Sequence, residues 1–531
     1  MIIINSADYV ISELQNEIGK IPPVFLPVGN KHVIKYQVSF LREKFGNVET
    51  IYVTLPKNYV LSRHEINVLE NLHIKPMFVR ENLSLGMALI YVLNSIGEYE
   101  NNLFLLHGDT IISDIPTDPD VVSIGRTSND YKWRKINGQT ADLVGKCFNY
   151  VWSGFFSFSS IKHFLTCLAL SQGNFIDSVS LYSDLIHLKY VHVNDWYDVG
   201  HVNTYFNTRC SITTQRAFNS LRISDGVVWK SGDPAKKIQA ESHWFQNIPP
   251  NLKRYIPQLI EEGVNDNTPY YITEFVSCLP LNELFVYGRN SVHYWSKILD
   301  LIFDFMYRAK QCFPTENLTL VDDVRINSQY LFKDKTLERL SKYANIESFD
   351  LTKFVRYNGV DLPSTIEIAN HCIEKSLNLP IIPTVLHGDL CLSNIIYDSR
   401  SVNIKVLDPR GLDSRSNFSI YGNQIYDLAK LFHSIVGMYD FIIADLFELT
   451  ESEEYGWNLN FREDQRFTDI QSEFMKREIV VDGDKGTLSM KEIAAPTVLL
   501  FLSMIPLHYD KPFRQKAMLV NAYRLYSLYI M

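Results

Sequence analysis

Two segments of the chain end an apolar run on His-Gly-Asp: "LLHGDTII" (residues 105–112) and "VLHGDLCLSNIIY" (residues 385–397). In the second, Asp389 is followed by Asn394 and, after "VNIKV", by Asp408. Val402, Ile404 and Val406 alternate, which predicts a strand ending near Asp408. Asp389, Asn394 and Asp408 would then converge from a loop and a strand end. Phosphoryl transfer needs such a set. One carboxylate orients the attacking hydroxyl, while an amide oxygen and a second carboxylate hold Mg²⁺ against the nucleotide phosphates. The first segment offers Asp109, also at the end of an apolar run and also suited to a metal.

Those carboxylates need elements to place them. The first ~210 residues alternate strand and helix signals. "MIII" suits a buried strand. After "VFLPVGN", Ile34, Val38, Leu41 and Phe45 share a helical face that Gly46 can cap. "TIYVTLP" reads as a strand, "SLGMALIYVLNSI" as a helix, and "NLFLLHGD" as a strand. This β-α-β-α-β order predicts a mainly parallel sheet with right-handed crossovers. Ligands then sit at the carboxyl ends of strands, where Asp109 would lie.

From about residue 215 the pattern changes. "LRISDGVVWKS" is a hairpin turning at Asp225-Gly226, "AKKIQAESHWFQNI" is a helix, and "PYYITEFV" is another strand. Helical patterns dominate after ~290, interrupted near 385–408. The expected organisation is a domain over 1–210, a β-rich lobe over 211–290 and a helical lobe over 291–531, with the first seam near Arg209–Gln215. The two His-Gly-Asp segments have unlike surroundings, so they form no repeat.

"HGDLCLSNIIYDSRSVNIKVLDPRG" with the later "YGNQIYDLAKLFHSI" resembles the aminoglycoside phosphotransferase and choline kinase family. The Asp-to-Asn spacing also equals that of the protein-kinase catalytic loop. The resemblance implies a two-lobed kinase-like fold. It makes Asp389 the catalytic base, Asn394 and Asp408 the Mg²⁺ ligands, His387 a support of the loop and Asp427 its brace. Many members have His where this chain has Cys391. Such folds need a strand Lys on the ATP phosphates and a helix Glu beside it, which points to Lys230 and Glu241. "YYITEFVS" becomes the hinge, with base contacts near Glu274 and Phe275. "AFNS" (217–220) is the candidate phosphate-covering turn, in place of a G-x-G-x-x-G loop. Tyr439 and Asp440 would suit a cationic acceptor.

"FLPVGNKHVIKYQVSFL", "LLHGDTII" and "DWYDVGHVNTYFNTR" resemble the sugar-1-phosphate and phosphocholine nucleotidyltransferases, whose domain is Rossmann-like. The match implies that Asp109 and Asp198 bind Mg²⁺ (or Mn²⁺). A phosphate oxygen would attack the α-phosphorus of CTP or another NTP, and pyrophosphate would leave. That family opens with a Gly-rich loop and Pro-Lys. Here no Gly precedes Gly19, no Arg precedes Arg42, and Pro23 stands at the lysine position, with Lys20 and Lys31 nearby. Three readings stay open for this domain: transfer with an altered loop, binding without turnover, or a structural module.

Bulk properties narrow the classes. With 531 residues, the chain exceeds one core. Hydrophobic residues at 46% and charged residues at 21% describe ordinary globular protein, and the net charge of −9 argues against nucleic acid as a partner. The seven cysteines form no C-x-x-C pair or zinc spacing. The N-terminus lacks signal-peptide features, and "APTVLLFLSMIPL" reads as a buried helix. The expectation is a cytoplasmic bifunctional transferase without membrane insertion, with a homo-oligomer left open. An ATP-dependent kinase would phosphorylate a small hydroxylated molecule, and the linked domain would activate the product as a nucleotide conjugate. The fusion resembles enzymes of bacterial capsule or lipopolysaccharide precursor supply. The alternatives are a kinase with a ligand-sensing first domain and a non-catalytic scaffold.

Overall fold

A computed structural model describes the chain except residues 48, 132, 144–145, 213–218, 462–463 and 482–485, and except the side chains of 136–148 and 219–220. Residues 217–218 of the turn expected at 217–220 and the end of the seam at 213–215 therefore lie outside the described residues, while Asn219 and Ser220 open a strand. The protein is mixed α/β. Two compact units divide it: Met1–Thr213 with Tyr287–Arg289, and Thr214–Val286 with Asn290–Met531.

In the first unit, β1 (Ile2–Asn5), β2 (Ile51–Pro56), β3 (Ile74–Val79) and β4 (Leu103–His107) lie parallel in the order β3-β2-β1-β4. Beyond β4 the sheet continues through β5 (Val121–Thr127), β6 (Lys135–Leu143), β7 (Lys146–Phe158) and β8 (Lys189–His192). β7 runs antiparallel to β4, β5 and β6, so the sheet is mixed on that side. Side chains alternate across the strands and bury both faces. Ile3, Leu105 and Phe156 join one core with Leu89 and Leu93 of α2 (Leu85–Ile96). Ile2, Ile4, Phe104 and Leu106 join the other with Ile34, Val38 and Leu41 of α1 (Val33–Phe45). Gly46 ends α1 with a φ of 70°, as its place after the apolar stripe suggests. The β3 strand escapes a pattern reading because it is an edge strand: its faces are half polar, and the edge tolerates Pro76.

In the second unit, β9 (Asn219–Ser224), β10 (Val227–Gly232), β11 (Leu259–Asn265) and β12 (Thr268–Glu274) form an antiparallel sheet in the order β9-β10-β12-β11. Asp225 and Gly226 both have positive φ (52° and 77°), the conformation a two-residue hairpin with strand twist demands. Helix α3 (Ala235–Asn247) packs on this sheet. The remainder is largely helical, including α4 (Val292–Gln311), α5 (Lys335–Glu347), α6 (Gln424–Ile435), α7 (Ala494–Met504) and α8 (Pro512–Tyr529). The hairpin of β13 (Ile395–Asp398) and β14 (Asn403–Val406) interrupts it. The span Met490–His508, which holds α7, is long and apolar enough to cross a membrane by composition, yet 72% of it is buried within the protein. α7 packs between α6 and α8. Among the described residues, Cys167, Cys210, Cys312, Cys372 and Cys391 form no disulfide.

Candidate active site

In the second unit, the loop from His387 to Asn394 is held from below. The Asp427 carboxylate accepts the backbone N–H of His387 (2.9 Å) and of Gly388 (2.8 Å). The His387 Nε2 faces the Leu407 carbonyl at 2.8 Å, and its Nδ1 accepts the Asp389 N–H at 3.2 Å. A neutral imidazole protonated on Nε2 satisfies both, and burial holds its pKa down at about 4. The backbone N–H of Leu407 donates to the Asn394 carbonyl (2.8 Å), which ties the strand before Asp408 to the loop.

The side chains expected to do chemistry gather on this frame. Asn394 donates its amide to the Asp389 carbonyl (2.9 Å) and carboxylate (3.2 Å). Lys230, on β10, bridges Glu241 of α3 (2.6 Å) and Asp408 (2.8 Å). Burial alone would discharge the Lys230 ammonium, but Asp408 and Glu241 keep it charged. Asp408 has a φ of 56° and its side chain is 46% exposed. The donors suit a hard divalent ion: the Asn394 amide nitrogen is spent on Asp389, which leaves its oxygen for a cation, and Asp408 adds a carboxylate. Among the described residues there is no cluster of three His, Cys, Asp or Glu side chains of metal-site geometry.

Glu274 and Phe275 stand apart from this centre. Lys230 faces Tyr271 across the sheet, three positions before Glu274. The Glu274 carboxylate pairs with Lys405 (2.7 Å), and the backbone N–H groups of Glu274 and Phe275 donate to Gln258 and Gly226. Cys391 is buried and its thiol is pushed up to about 12, so a nucleophilic thiolate is not what this site offers.

Cationic groups missing from the sequence reading surround Asp389. Lys430, on α6, lies 2.9 Å from its carboxylate. Burial would raise the Asp389 pKa, but Lys430 and then Arg410 hold it well below the usual carboxylate range. Arg410 donates to the Tyr426 hydroxyl at 2.7 Å, and Lys335 approaches the same oxygen at 3.4 Å. Spacing carried part of this signal. Lys430 is three residues after Asp427 and four after Tyr426, hence on one helix face.

In the first unit, Asp109 lies just beyond the end of β4. Asp198 ends the short strand Trp196–Asp198, which pairs with Thr110–Ile112. The two carboxylates interact: burial, and then Asp198, raise Asp109 to about 6. A Cβ at Gly200 would overlap the Asp109 carboxylate. Two carboxylates that repel each other at a strand end suit a divalent cation. Asp198 also accepts hydrogen bonds from His201 (2.8 Å), Gly200 N–H (3.3 Å) and the Thr204 hydroxyl. His201 stacks on Tyr131 at 4.1 Å. Instead of a glycine loop, the segment after β1 carries the helix Ser12–Ile18. Lys20 covers the Tyr9 ring at 4.0 Å, and Lys31 lies 5.8 Å from the Tyr36 ring. A recess of about 420 Å³ opens past the ends of β2 and β3, lined by Lys57, Asn58, Arg80, Glu81 and Asn82.

No protein-family model matches the chain. No curated protein matches it. The similar solved structures fall into two groups, nucleotidyltransferases over the N-terminal part and aminoglycoside phosphotransferases over the C-terminal part. HddC from Yersinia pseudotuberculosis is 15% identical, with 39% of this chain and 97% of that one covered at a TM-score of 0.28. The 4-diphosphocytidyl-2C-methyl-D-erythritol synthase from Anaerococcus prevotii is 10% identical over 40% of this chain and 94% of its own, at a TM-score of 0.27. An aminoglycoside phosphotransferase from Streptomyces rimosus is 14% identical over 59% and 91%, at a TM-score of 0.26.

Proposed function

We propose that the second unit is an ATP- and Mg²⁺-dependent kinase acting on the hydroxyl of a small molecule, and that the first unit converts the phosphorylated product to a nucleotide conjugate. The observation that carries the reading is the meeting of Lys230, Glu241 and Asp408 with the braced Asp389–Asn394 loop. Lys230 would contact the α/β-phosphates of ATP, with Glu241 fixing its ammonium. Asn394 and Asp408 would hold Mg²⁺, which neutralises charge on the transferring phosphoryl group when bound. The acceptor oxygen attacks the γ-phosphorus, its proton passes to the Asp389 carboxylate, and ADP leaves. A carboxylate held below the usual range is ionised at neutral pH, the state that accepts this hydrogen bond and orients the hydroxyl.

In the first unit, the Asp109–Asp198 pair would hold the metal for attack of a phosphate oxygen on the α-phosphorus of CTP or another NTP. The resemblance of the fusion to capsule and lipopolysaccharide precursor enzymes supports a role in surface polysaccharide supply. A second reading, a first unit that binds ligand without turnover, is favoured by the helix Ser12–Ile18 and by Lys20 stacked on Tyr9, where a triphosphate cradle would be needed.

The test is ATP turnover by the full chain with hydroxylated acceptors and Mg²⁺. Asp389→Asn should cut acceptor-dependent ADP release by about 10²–10⁴-fold, and chelation by EDTA should abolish it. Unchanged turnover in Asp389→Asn would overturn the kinase reading. Pyrophosphate release from an NTP and a phosphorylated sugar or phosphocholine, lost in Asp109→Ala, separates transfer from binding in the first unit.

A further inference from the structure

Four cations gather around Tyr426, and two of them, Lys430 and Arg410, also act on Asp389. Lys335 and Arg339 sit one turn apart on α5, Arg410 follows the Asp408 turn, and Lys430 rises from α6. Tyr426 lies among them: its hydroxyl accepts from Arg410 and Lys335, and the Arg410 guanidinium also covers its ring at 4.5 Å. Arg339 donates to the Ser503 carbonyl at 3.0 Å. Of the four, Lys430 has a carboxylate partner, Asp389 itself. Arg410 and Lys335 hydrogen-bond to the Tyr426 hydroxyl, and Asp389 and Asp427 act on Arg410 through space; among the described residues neither Lys335 nor Arg339 forms a salt bridge with a carboxylate.

This arrangement works against the fold that holds it. Like charges at i and i+4 destabilise a helix, and Lys335 and Arg339 stand at that spacing on a half-buried face. Burial and then its cationic neighbours bring the Lys335 ammonium down to about 8, and the same cations bring the buried Tyr426 phenol down to about 7. A π-helical turn, Tyr330–Asp334, immediately precedes Lys335 and sets the face that α5 presents; such turns recur at functional sites. The chain as a whole carries −9, so the cluster is not part of a generally basic surface. Asp440, the acidic residue a cationic acceptor would pair with, is buried, and burial pushes its carboxyl up to about 7.

We infer that the acceptor of the kinase site is an anion, a hydroxylated small molecule bearing a phosphate, carboxylate or sulfate group that Lys335, Arg339 and Arg410 bind. The inference rests on the kinase reading and names its substrate class. The oxyanion supplies the missing countercharge, and Arg339 and Arg410 offer planar donors that match it. Lys430 lies between this group and the reacting centre. It positions the Asp389 carboxylate beside the acceptor hydroxyl.

Inorganic sulfate is the probe for the oxyanion subsite. Its binding to the full chain is measured by calorimetry with Mg²⁺ and saturating AMP-PNP, a non-hydrolysable ATP analogue that fills the γ-phosphate position. Saturable sulfate binding is expected. It should weaken roughly tenfold or more in Lys335→Gln and in Arg339→Gln and be partly restored in Arg339→Lys. Melting temperature and AMP-PNP affinity monitor folding. Failure to bind AMP-PNP overturns the kinase reading itself. AMP-PNP binding without sulfate binding, or sulfate binding indifferent to both Gln variants, overturns the anionic acceptor alone. Turnover distinguishes the sources of the oxyanion: glycerol phosphate and mannose phosphate report a phosphate ester, glycerate a carboxylate, and choline the cationic class. Preference for choline over every anionic acceptor would also overturn the inference.

Discussion

At the scale of single residues, Lys230 is the junction of the candidate active site. Its ammonium is buried between Glu241 and Asp408, and Glu241 is itself fully buried. Removing one partner of such a pair leaves the other as an uncompensated buried charge, which costs about 3–5 kcal/mol. Lys230→Met should therefore lower unfolding free energy by that order in denaturant titration. Adding Glu241→Gln should recover part of the loss, because the stranded carboxylate is gone. A double variant as destabilised as the sum of the singles would show that the two side chains do not act as a pair. Lys230 and Glu241 were legible because a strand lysine and a helix glutamate are both required by one chemistry. Lys335 and Arg339 were not. They lie some fifty residues before the His387–Asn394 loop, and nothing local marks which face of their helix turns toward Tyr426.

At the scale of elements, the site depends on how α3 meets the turn after Asp408. Gly411 has a φ of 64°, and a Cβ there would overlap the Ala240 carbonyl, one residue from Glu241. Gly411→Ala must strain the turn or push α3 away. It should cost about 1–3 kcal/mol, lower the melting temperature and raise the KM for ATP as Glu241 withdraws from Lys230. Gly46→Ala makes the comparison: its φ is 70° but nothing lies within 4 Å of the added Cβ. That variant should cost about 1–3 kcal/mol through backbone strain alone and leave the KM for ATP unchanged. If both variants behave alike, steric contact at Gly411 is not what seats α3. Elements with strict periodicity were readable in the sequence, including the Asp225-Gly226 hairpin and the stripe of α1. The antiparallel insertion of β7 and the edge strand β3 were not, because their polarity reflects sheet position rather than a repeating pattern.

At the scale of the whole chain, both units bury neutral imidazoles, and this sets a common acid limit. In the second unit, His387 is fully buried with its pKa held at about 4, and burial depresses His433 well below its ordinary value. In the first, burial depresses His32 well below its ordinary value and brings His64 to about 3. A base whose folded pKa is depressed takes up its proton more readily in the unfolded chain, so acid favours unfolding. The penalty is absent above the unfolded value of about 6.5, grows as pH falls, and is complete below the folded values. For His387 alone it is on the order of 3 kcal/mol at its limit. Protonating Nδ1 would also cost the Asp389 N–H its acceptor, so the His387–Asn394 loop should loosen together with the global loss. Thermal melts from pH 7 to pH 4.5 should show a steep fall in stability. His387→Asn, which keeps a polar side chain without a titrating ring, should start less stable and fall less steeply. If that variant's melting temperature declines in parallel with the wild type, the imidazole is not what makes the loop sensitive to acid.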